Sequence, residues 1–330
     1  MGTSYSTVEP VDIPPVGEHI AAKLIGLVSK DFEVGEDTDG WRRLFFGLPW
    51  KKPANVPWKH IFSGFTQTEI KMHNARILQE NSNLTKAEFF EQHGFVLVKA
   101  PTKVKIWNED YESEDNEITN IYHNEIDDIL RNEVYPPGTI FNAIDQDKFV
   151  LKRGPESKNN FYASGVHQDF CLTGDHYLEA IKCYSEDDDY YETASKEFHD
   201  NMSDSEVFSV ICFWRPVEMK EPLIHNPLCV LDCSSVDKKD ILKTQLYGFT
   251  PTGLPQPQLT IKHSDDQRWC FYPDMLDDEV LVFKQLYVKK SDPDGDYKAC
   301  FHTAFADPRQ PYSSKQLRKS TEHRVRVFLK

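Results

Sequence analysis

The sequence predicts a single, mainly β domain with helices packed against its sheets, and three observations point there. Aromatic residues make up 12% of the chain, with 21 Phe, 14 Tyr and 6 Trp, a load that suits pleated, half-buried surfaces. From about residue 140 onward, short apolar runs are separated by turn-rich stretches, as in all-β domains. Strand and helix do not alternate regularly and no GxGxxG occurs, which argues against a doubly wound sheet. At 330 residues the chain can bury a large core, and barrels and sandwiches of that order form one unit, so 1–330 is read as one domain.

Residues 1–60, rich in Pro, Gly and Trp, read as an N-terminal arm of strand and loop wrapping the outside. Thr85 followed by Glu88 forms a capping-box signal for a helix over LTKAEFFEQHG, with Gly94 placed to end it. FVLVKAP is then a buried strand halted by Pro101. Ile118, Ile121, Ile126, Ile129 and Leu130 recur at helical spacing before Pro136 and Pro137 stop the run. FNAIDQDKFVLKR, SGVHQDF, EVFSVICFWRP, NPLCVLD, KQLYVK, CFHTAF and HRVRVFL follow as strands, with TPTGLPQPQ and SDPDGD among the intervening loops. The acidic stretch 184–205 reads as an exposed insertion, with a mobile cover beside a site as its alternative use.

A net charge of −15 repels nucleic acid and anionic membranes, so an anionic ligand must be caught by a few placed arginines. No window approaches the roughly 18 apolar residues of a membrane span. Seven cysteines without a CxxC pair argue against a disulfide framework and for a reducing, cytoplasmic location. The expected partner is a small-molecule substrate, with no nucleic acid, membrane or obligatory protein partner.

His167-Gln168-Asp169 is the most informative triplet. On a strand, positions i and i+2 project to one face, so an imidazole and a carboxylate converge while Gln168 turns away. A second, distant histidine, His302 in the strand-like run CFHTAF, completes a two-His, one-carboxylate face that suits Fe(II) and leaves coordination positions open. Zinc is the competing metal, although no general base stands at short spacing. Beyond His302, Arg318, Ser320, Glu322, Arg324 and Arg326 share one face of an extended strand. Facing an apolar interior, such a row must be paired or must grip an anion. A guanidinium fork with a serine hydroxyl suits a carboxylate, which favours Arg318 and Ser320 as a ligand clasp. A structural ion pair explains Glu322 with Arg324 or Arg326 equally well, and an exposed edge strand is the bland alternative.

FYASGVHQDF, VFSVICFWRP, NPLCVLD, FYPDMLDDEVLVFKQLY, HTAFADP and RKSTEHR occur in an order that resembles the CmcJ-like and gibberellin-desaturase-like 2-oxoglutarate oxygenases. The resemblance covers roughly residues 85–330, and its specific part is HTAF-x-DP with R-x-S-x-E-x-R. It implies a double-stranded β-helix (jelly-roll, cupin-like) fold. It further implies Fe(II), 2-oxoglutarate and O2 as cofactor and cosubstrates, with iron held by His167, Asp169 and His302 and no catalytic residue beyond these. Arg318 and Ser320 would clasp the distal carboxylate of 2-oxoglutarate, with Arg324 the rival for that contact. Algal enzymes that close the kainoid pyrrolidine ring look like members of the same group, which suggests oxidative cyclisation of an N-prenylated glutamate. Hydroxylation or desaturation of a terpenoid or amino acid is the alternative outcome. This chain departs from the group at Gly165-Val166, before the first ligand, and in the length of the acidic segment after Cys183. Both bear on the pocket walls.

For a carboxylate-bearing substrate with an apolar tail, Arg153, Arg215 and Arg268 are candidate anion contacts, and Tyr162, Phe170, Trp214 and Trp269 are candidate walls. Trp214-Arg215 follows an apolar strand and is expected near the barrel mouth. Two other function classes compete: a noncatalytic cupin-like binding module, which would lose iron or oxo-acid binding, and an acidic scaffold protein, which would bind no metal.

Overall fold

The structure is a computed structural model describing residues 14–33, 40–45, 65–107, 116–150, 152–155, 157, 162–185, 188–248, 250–293, 295–310 and 317–330. In chain order the strands are β1 (His19–Val28), β2 (Arg42–Phe45), β3 (Phe65–Asn74), β4 (Phe95–Lys99), β5 (Phe141–Val150), β6 (Val207–Pro216) and β7 (Leu228–Leu231). They continue with β8 (Ile241–Tyr247), β9 (Gln256–Ile261), β10 (Trp269–Phe271), β11 (Glu279–Lys289), β12 (His302–Ala304) and β13 (Ser320–Leu329). The α-helices are α1 (Ala75–Asn81), α2 (Lys86–His93), α3 (His123–Ile129), α4 (Gly174–Tyr184) and α5 (Asp188–Ser203).

Two five-stranded sheets, ordered β1-β3-β10-β7-β12 and β4-β11-β6-β13-β5, and a three-stranded sheet β2-β8-β9 make up the body. The segment before α4 stitches the first and third together: His167 bridges to His302 and Gln168 to Leu259. Strands that neighbour one another in space but not in sequence, such as β6 between β11 and β13, give the curled double-stranded β-helix, or jelly roll, that the family resemblance implies.

Strand alternation decides what the second sheet shows to each side. Ile211, Phe213, Val280, Val282, Val325 and Val327 join Phe90, Tyr122, Ile126 and Leu130 in one buried cluster, so helices cover the outer face. The inner face carries Cys212, Trp214, Ser320, Glu322 and Arg324, with Arg324 opposite Cys212, Glu322 opposite Trp214 and Ser320 opposite Pro216. Thr85 and Glu88 form the expected reciprocal capping box, and Gly94 ends α2 at φ 80°. The helix before Pro136 is an α segment, α3, flanked by π turns over Ile118–Tyr122 and Leu130–Val134.

Three local expectations are corrected. Within 1–60, residues 1–13, 34–39 and 46–60 lie outside the described residues, but β1 is a full member of the first sheet rather than an outer wrap. Its Ala22, Leu24, Leu27 and Val28 are buried, and it pairs with β3 along its length. The acidic segment 184–205, read as an exposed insertion, is largely the helix α5, one face of which is buried. Ala194 and Phe198, four residues apart and on one helical face, pack with Phe208, Val210 and Phe328 in a third cluster. Lastly, β9 starts inside the stretch read as the loop TPTGLPQPQ, with Pro257 opposite Gln245.

Candidate metal centre

His167, Asp169 and His302 meet between the sheets, each offering one ligand atom, with these atoms within 4.8 Å of one another. Nε2 of His167 lies 3.5 Å from Asp169 Oδ1, and Nε2 of His302 lies 3.5 Å from Asp169 Oδ2. The backbones of the two histidines are hydrogen-bonded to each other, His302 N–H to His167 O at 2.9 Å and His167 N–H to His302 O at 3.3 Å. This isolated bridge, rather than the strand expected over SGVHQDF, in which Asp169 falls at a bend, sets the spacing of the imidazoles.

Each side chain is also fixed from behind. Nδ1 of His167 donates to Gly165 O at 2.6 Å, which leaves the Nε2 lone pair directed at the cluster. The His302 ring packs 5.1 Å from Phe283 and 4.6 Å from His167. Burial, then the neighbouring His167, lowers the pKa of His302 to about 4, so its imidazole is neutral near pH 7, as a metal ligand must be. Burial works against the charged form of Asp169 and is outweighed by Arg324 and the two imidazoles, which hold the carboxyl well below its ordinary range. Its backbone carbonyl accepts from Gln256 Nε2 at 3.1 Å, and Gln256 Oε1 accepts from Tyr184 Oη at 2.7 Å.

The donor set is two imidazole nitrogens and a carboxylate, with no thiolate among them. These residues fit a non-haem Fe(II) site with open positions.

β1 supports this segment. Val166 N–H donates to Ile25 O at 2.8 Å. Gly26 adopts φ +94°, and a Cβ there would lie 2.6 Å from Val166 N, so only glycine lets β1 approach this closely.

The row on β13 is internal, lying between β6 and β5, and every one of its residues from Ser320 to Phe328 is buried. Arg318 Nε donates to Ser320 Oγ at 2.9 Å and its Nη1 to Asn226 O at 2.6 Å. The guanidinium lies over the rings of Tyr162 (4.7 Å) and Trp214 (5.1 Å). No carboxylate pairs with it among the described residues, and burial, then the nearby Arg153, lowers its pKa to about 9. Arg324 contrasts with it. Its Nη2 reaches Asp169 Oδ2 at 2.8 Å, and its Nε and Nη2 reach Glu322 Oε1 at 2.9 and 2.7 Å. Arg326 pairs with Glu197 of α5 at 2.7 Å.

The candidate substrate residues divide. Trp214 and Tyr162 flank Arg318, Phe170 lies under Arg324 at 5.5 Å, and Arg153 is paired through its backbone with Ser320. Three others lie elsewhere. Arg215 is on the opposite face of β6 from Trp214, as adjacent strand residues must be. Its Nη2 donates to Ala100 O at 3.1 Å and to Asp277 O, and its guanidinium lies 5.8 Å from the rings of Trp107 and Tyr122. Trp269 is buried in the core of the first sheet. Arg268 lies 3.5 Å from Asp232 and lines a separate open cavity with Cys233, Ser234 and Lys298. Sequence reasoning also missed Asn226, Gln256, Gln285 and Gly26. For Asn226 a signal existed: asparagine before proline favours a turn, and its φ of 47° presents its carbonyl to Arg318.

Fold and donor set together define a jelly-roll protein with a candidate metal centre. The profile of the family described as an oxidoreductase/YMDC permease-like domain matches residues 38–328, and the chain belongs to that family. Among the described residues no helix is long and apolar enough to cross a membrane. Aspirochlorine biosynthesis protein N of Aspergillus oryzae is 32% identical over 119 residues, 36% of this chain and 47% of that protein. The chain thus spans about half the length of the curated relative it matches. Among solved structures, the iron and alpha-ketoglutarate-dependent endoperoxidase NvfI is similar with a TM-score of 0.66 at 17% identity, covering 94% of this chain and 98% of that one. The same enzyme in a different conformation gives a TM-score of 0.64 at 17% identity, with 94% and 98% covered. These likenesses show the double-stranded β-helix fold.

Proposed function

We propose that the chain is an Fe(II)/2-oxoglutarate-dependent oxygenase acting on a compact, carboxylate-bearing metabolite. One observation carries this reading: the three-ligand cluster and a buried guanidinium that no carboxylate pairs with among the described residues stand inside the same jelly roll. Iron(II), bound together with a 2-oxo acid, supplies dioxygen activation coupled to decarboxylation of that acid. The protein supplies the rest. His167, Asp169 and His302 would hold the metal and leave one side open. Arg318 and Ser320 would hold the distal carboxylate of the 2-oxo acid through charge-assisted hydrogen bonds, and the Tyr162 and Trp214 rings exclude water from that contact. The two similar proteins support the reading by what their names state, iron and alpha-ketoglutarate dependence in one and a role in biosynthesis in the other.

For the substrate, the reading extends to a small acid with an apolar portion. Arg153, opposite Ser320 on β5's extension, would take its carboxylate, and Phe170 would form part of the wall. An N-prenylated glutamate undergoing oxidative ring closure is the first compound to test, with hydroxylation or desaturation of a terpenoid acid or free amino acid as the alternatives. The test is an aerobic assay with Fe(II) and 2-oxoglutarate against that panel, reading succinate and product mass together. Substrate-dependent succinate that disappears in His167→Ala supports the oxygenase. Equal succinate from wild type and His167→Ala contradicts it. A product lighter by two hydrogens and containing a pyrrolidine ring supports the cyclisation. Turnover of a terpenoid or free amino acid alone eliminates it and leaves the iron assignment standing.

A further inference from the structure

Arg318, just before β13, and Arg324, on its inner face, stand in opposite electrostatic situations. Arg318 is buried beside aromatic rings and neutral acceptors. Arg324 is enclosed between two carboxylates, and both Nε and Nη2 are engaged. Glu322 is itself braced: Gln285 Nε2 lies 3.4 Å from the same Oε1, and Gln285 sits where β11 bulges between Lys284 and Leu286. Phe170 closes the other side of the guanidinium. Arg324, Glu322 and Asp169 are all largely buried, with side-chain exposures of 8%, 11% and 15%.

We infer that Arg324, braced by Glu322, is a positioning residue that fixes the rotation of the Asp169 carboxylate and takes no part in gripping the 2-oxo acid. The inference rests on the metal-centre reading above. A carboxylate two bonds from its Cα turns about χ2 and has two equivalent oxygens, so it can chelate a cation through both. Both carboxylate oxygens face the cluster, Oδ1 at 3.5 Å from His167 Nε2 and Oδ2 at 3.5 Å from His302 Nε2; Arg324 takes up Oδ2 at 2.8 Å, which makes Oδ1 the better donor to a metal. One protein oxygen instead of two keeps an additional coordination position open for exogenous ligands. Glu322 has two effects. It holds the guanidinium plane in place through two donors, and its charge offsets that of Arg324, so the pair does not strip Asp169 of donor strength. Partners behind metal ligands act in this way generally, and their loss typically costs about 10–100-fold in metal affinity.

Removing Arg324 alone would leave two buried carboxylates close together, which can prevent folding. Two variants avoid this. Arg324→Lys keeps the charge but loses the fork, and Glu322→Gln with Arg324→Gln keeps the local net charge while removing the brace. Each is titrated with Co(II), read by calorimetry and by ligand-field absorption, with circular dichroism as the folding control. 2-Oxoglutarate is then titrated at saturating Co(II). The expected result is Co(II) affinity about 10–100-fold weaker than wild type with altered ligand-field bands, and unchanged 2-oxoglutarate affinity once metal is saturating. Arg318→Ala should give the converse, with intact Co(II) binding and weakened 2-oxoglutarate. Wild-type Co(II) affinity and spectrum in both folded variants would overturn the inference. So would a loss of 2-oxoglutarate affinity in Arg324→Lys with Co(II) binding intact, which would return Arg324 to the clasp. Failure of the wild type to take Co(II) would remove the metal-centre reading and this inference with it.

Discussion

Arg318→Met tests whether the buried guanidinium is kept for a ligand or for the fold. Its surroundings disfavour the charged form: burial, then Arg153, lowers its pKa from 12.5 to about 9. At about 1.4 kcal/mol per tenfold change in an equilibrium, that displacement corresponds to on the order of 5 kcal/mol against the charge. The contacts that offset it are two hydrogen bonds to neutral acceptors and two aromatic faces, the latter contributing about 0.5–2 kcal/mol each. Methionine is shorter by two heavy atoms but apolar, so it packs between Tyr162 and Trp214 without the desolvation cost, while Ser320 Oγ and Asn226 O lose a donor. The variant should therefore melt at or above the wild-type temperature when no 2-oxo acid is present. Its 2-oxoglutarate affinity should fall through loss of a charge-assisted contact of about 1.5–3 kcal/mol, roughly 10–150-fold. Differential scanning fluorimetry with and without the oxo acid, and calorimetry with Co(II) saturating, read both quantities. A variant that loses several degrees of melting temperature yet binds 2-oxoglutarate as the wild type does would refute the reasoning, because Arg318 would then serve the fold alone.

Gly26→Ala forces a Cβ to within 2.6 Å of Val166 N at a φ of +94°. It should cost about 1–3 kcal/mol of stability and weaken Co(II) binding, since His167 is the next residue; unchanged melting and titration curves would contradict this. His323 is buried against Trp107 and Tyr122, and burial, then His123 and Arg215, holds it well below the ordinary histidine range. Below about pH 6.5 the unfolded chain takes up a proton that the folded chain refuses, so stability falls as pH falls. The slope is up to about 1.4 kcal/mol per pH unit. His323→Phe should remove that one-proton contribution in urea titrations between about pH 6 and 5, and an unaltered slope would show that His323 is protonated in the fold.

What could be read from residues alone was set by periodicity and by paired chemistry. The face shared by Arg318, Ser320, Glu322 and Arg324 follows from the two-residue repeat of a strand, and the structure shows that face turned inward. His302 stood in a short strand-like run, and backbone pairing brings it to His167. Periodicity does not say which of two adjacent residues faces inward when both fit, and so Arg215 was placed beside Trp214 rather than behind it. Composition misled at 184–205, where eight acidic residues of twenty-two obscured the Ala194–Phe198 spacing that seats α5. The distinction between Arg318 and Arg324 was also out of reach. It depends on which guanidinium meets a carboxylate from a distant segment, a contact across 155 residues in the case of Asp169 and Arg324.

The most direct test of the central claim is an anaerobic titration of the purified protein with Fe(II) and 2-oxoglutarate, followed by visible absorption. A charge-transfer band should grow to one iron per chain only when both are present, and it should be absent in His302→Ala. No band in the folded wild-type protein, or an equal band in His302→Ala, would contradict an iron and 2-oxo-acid centre built on His167, Asp169 and His302.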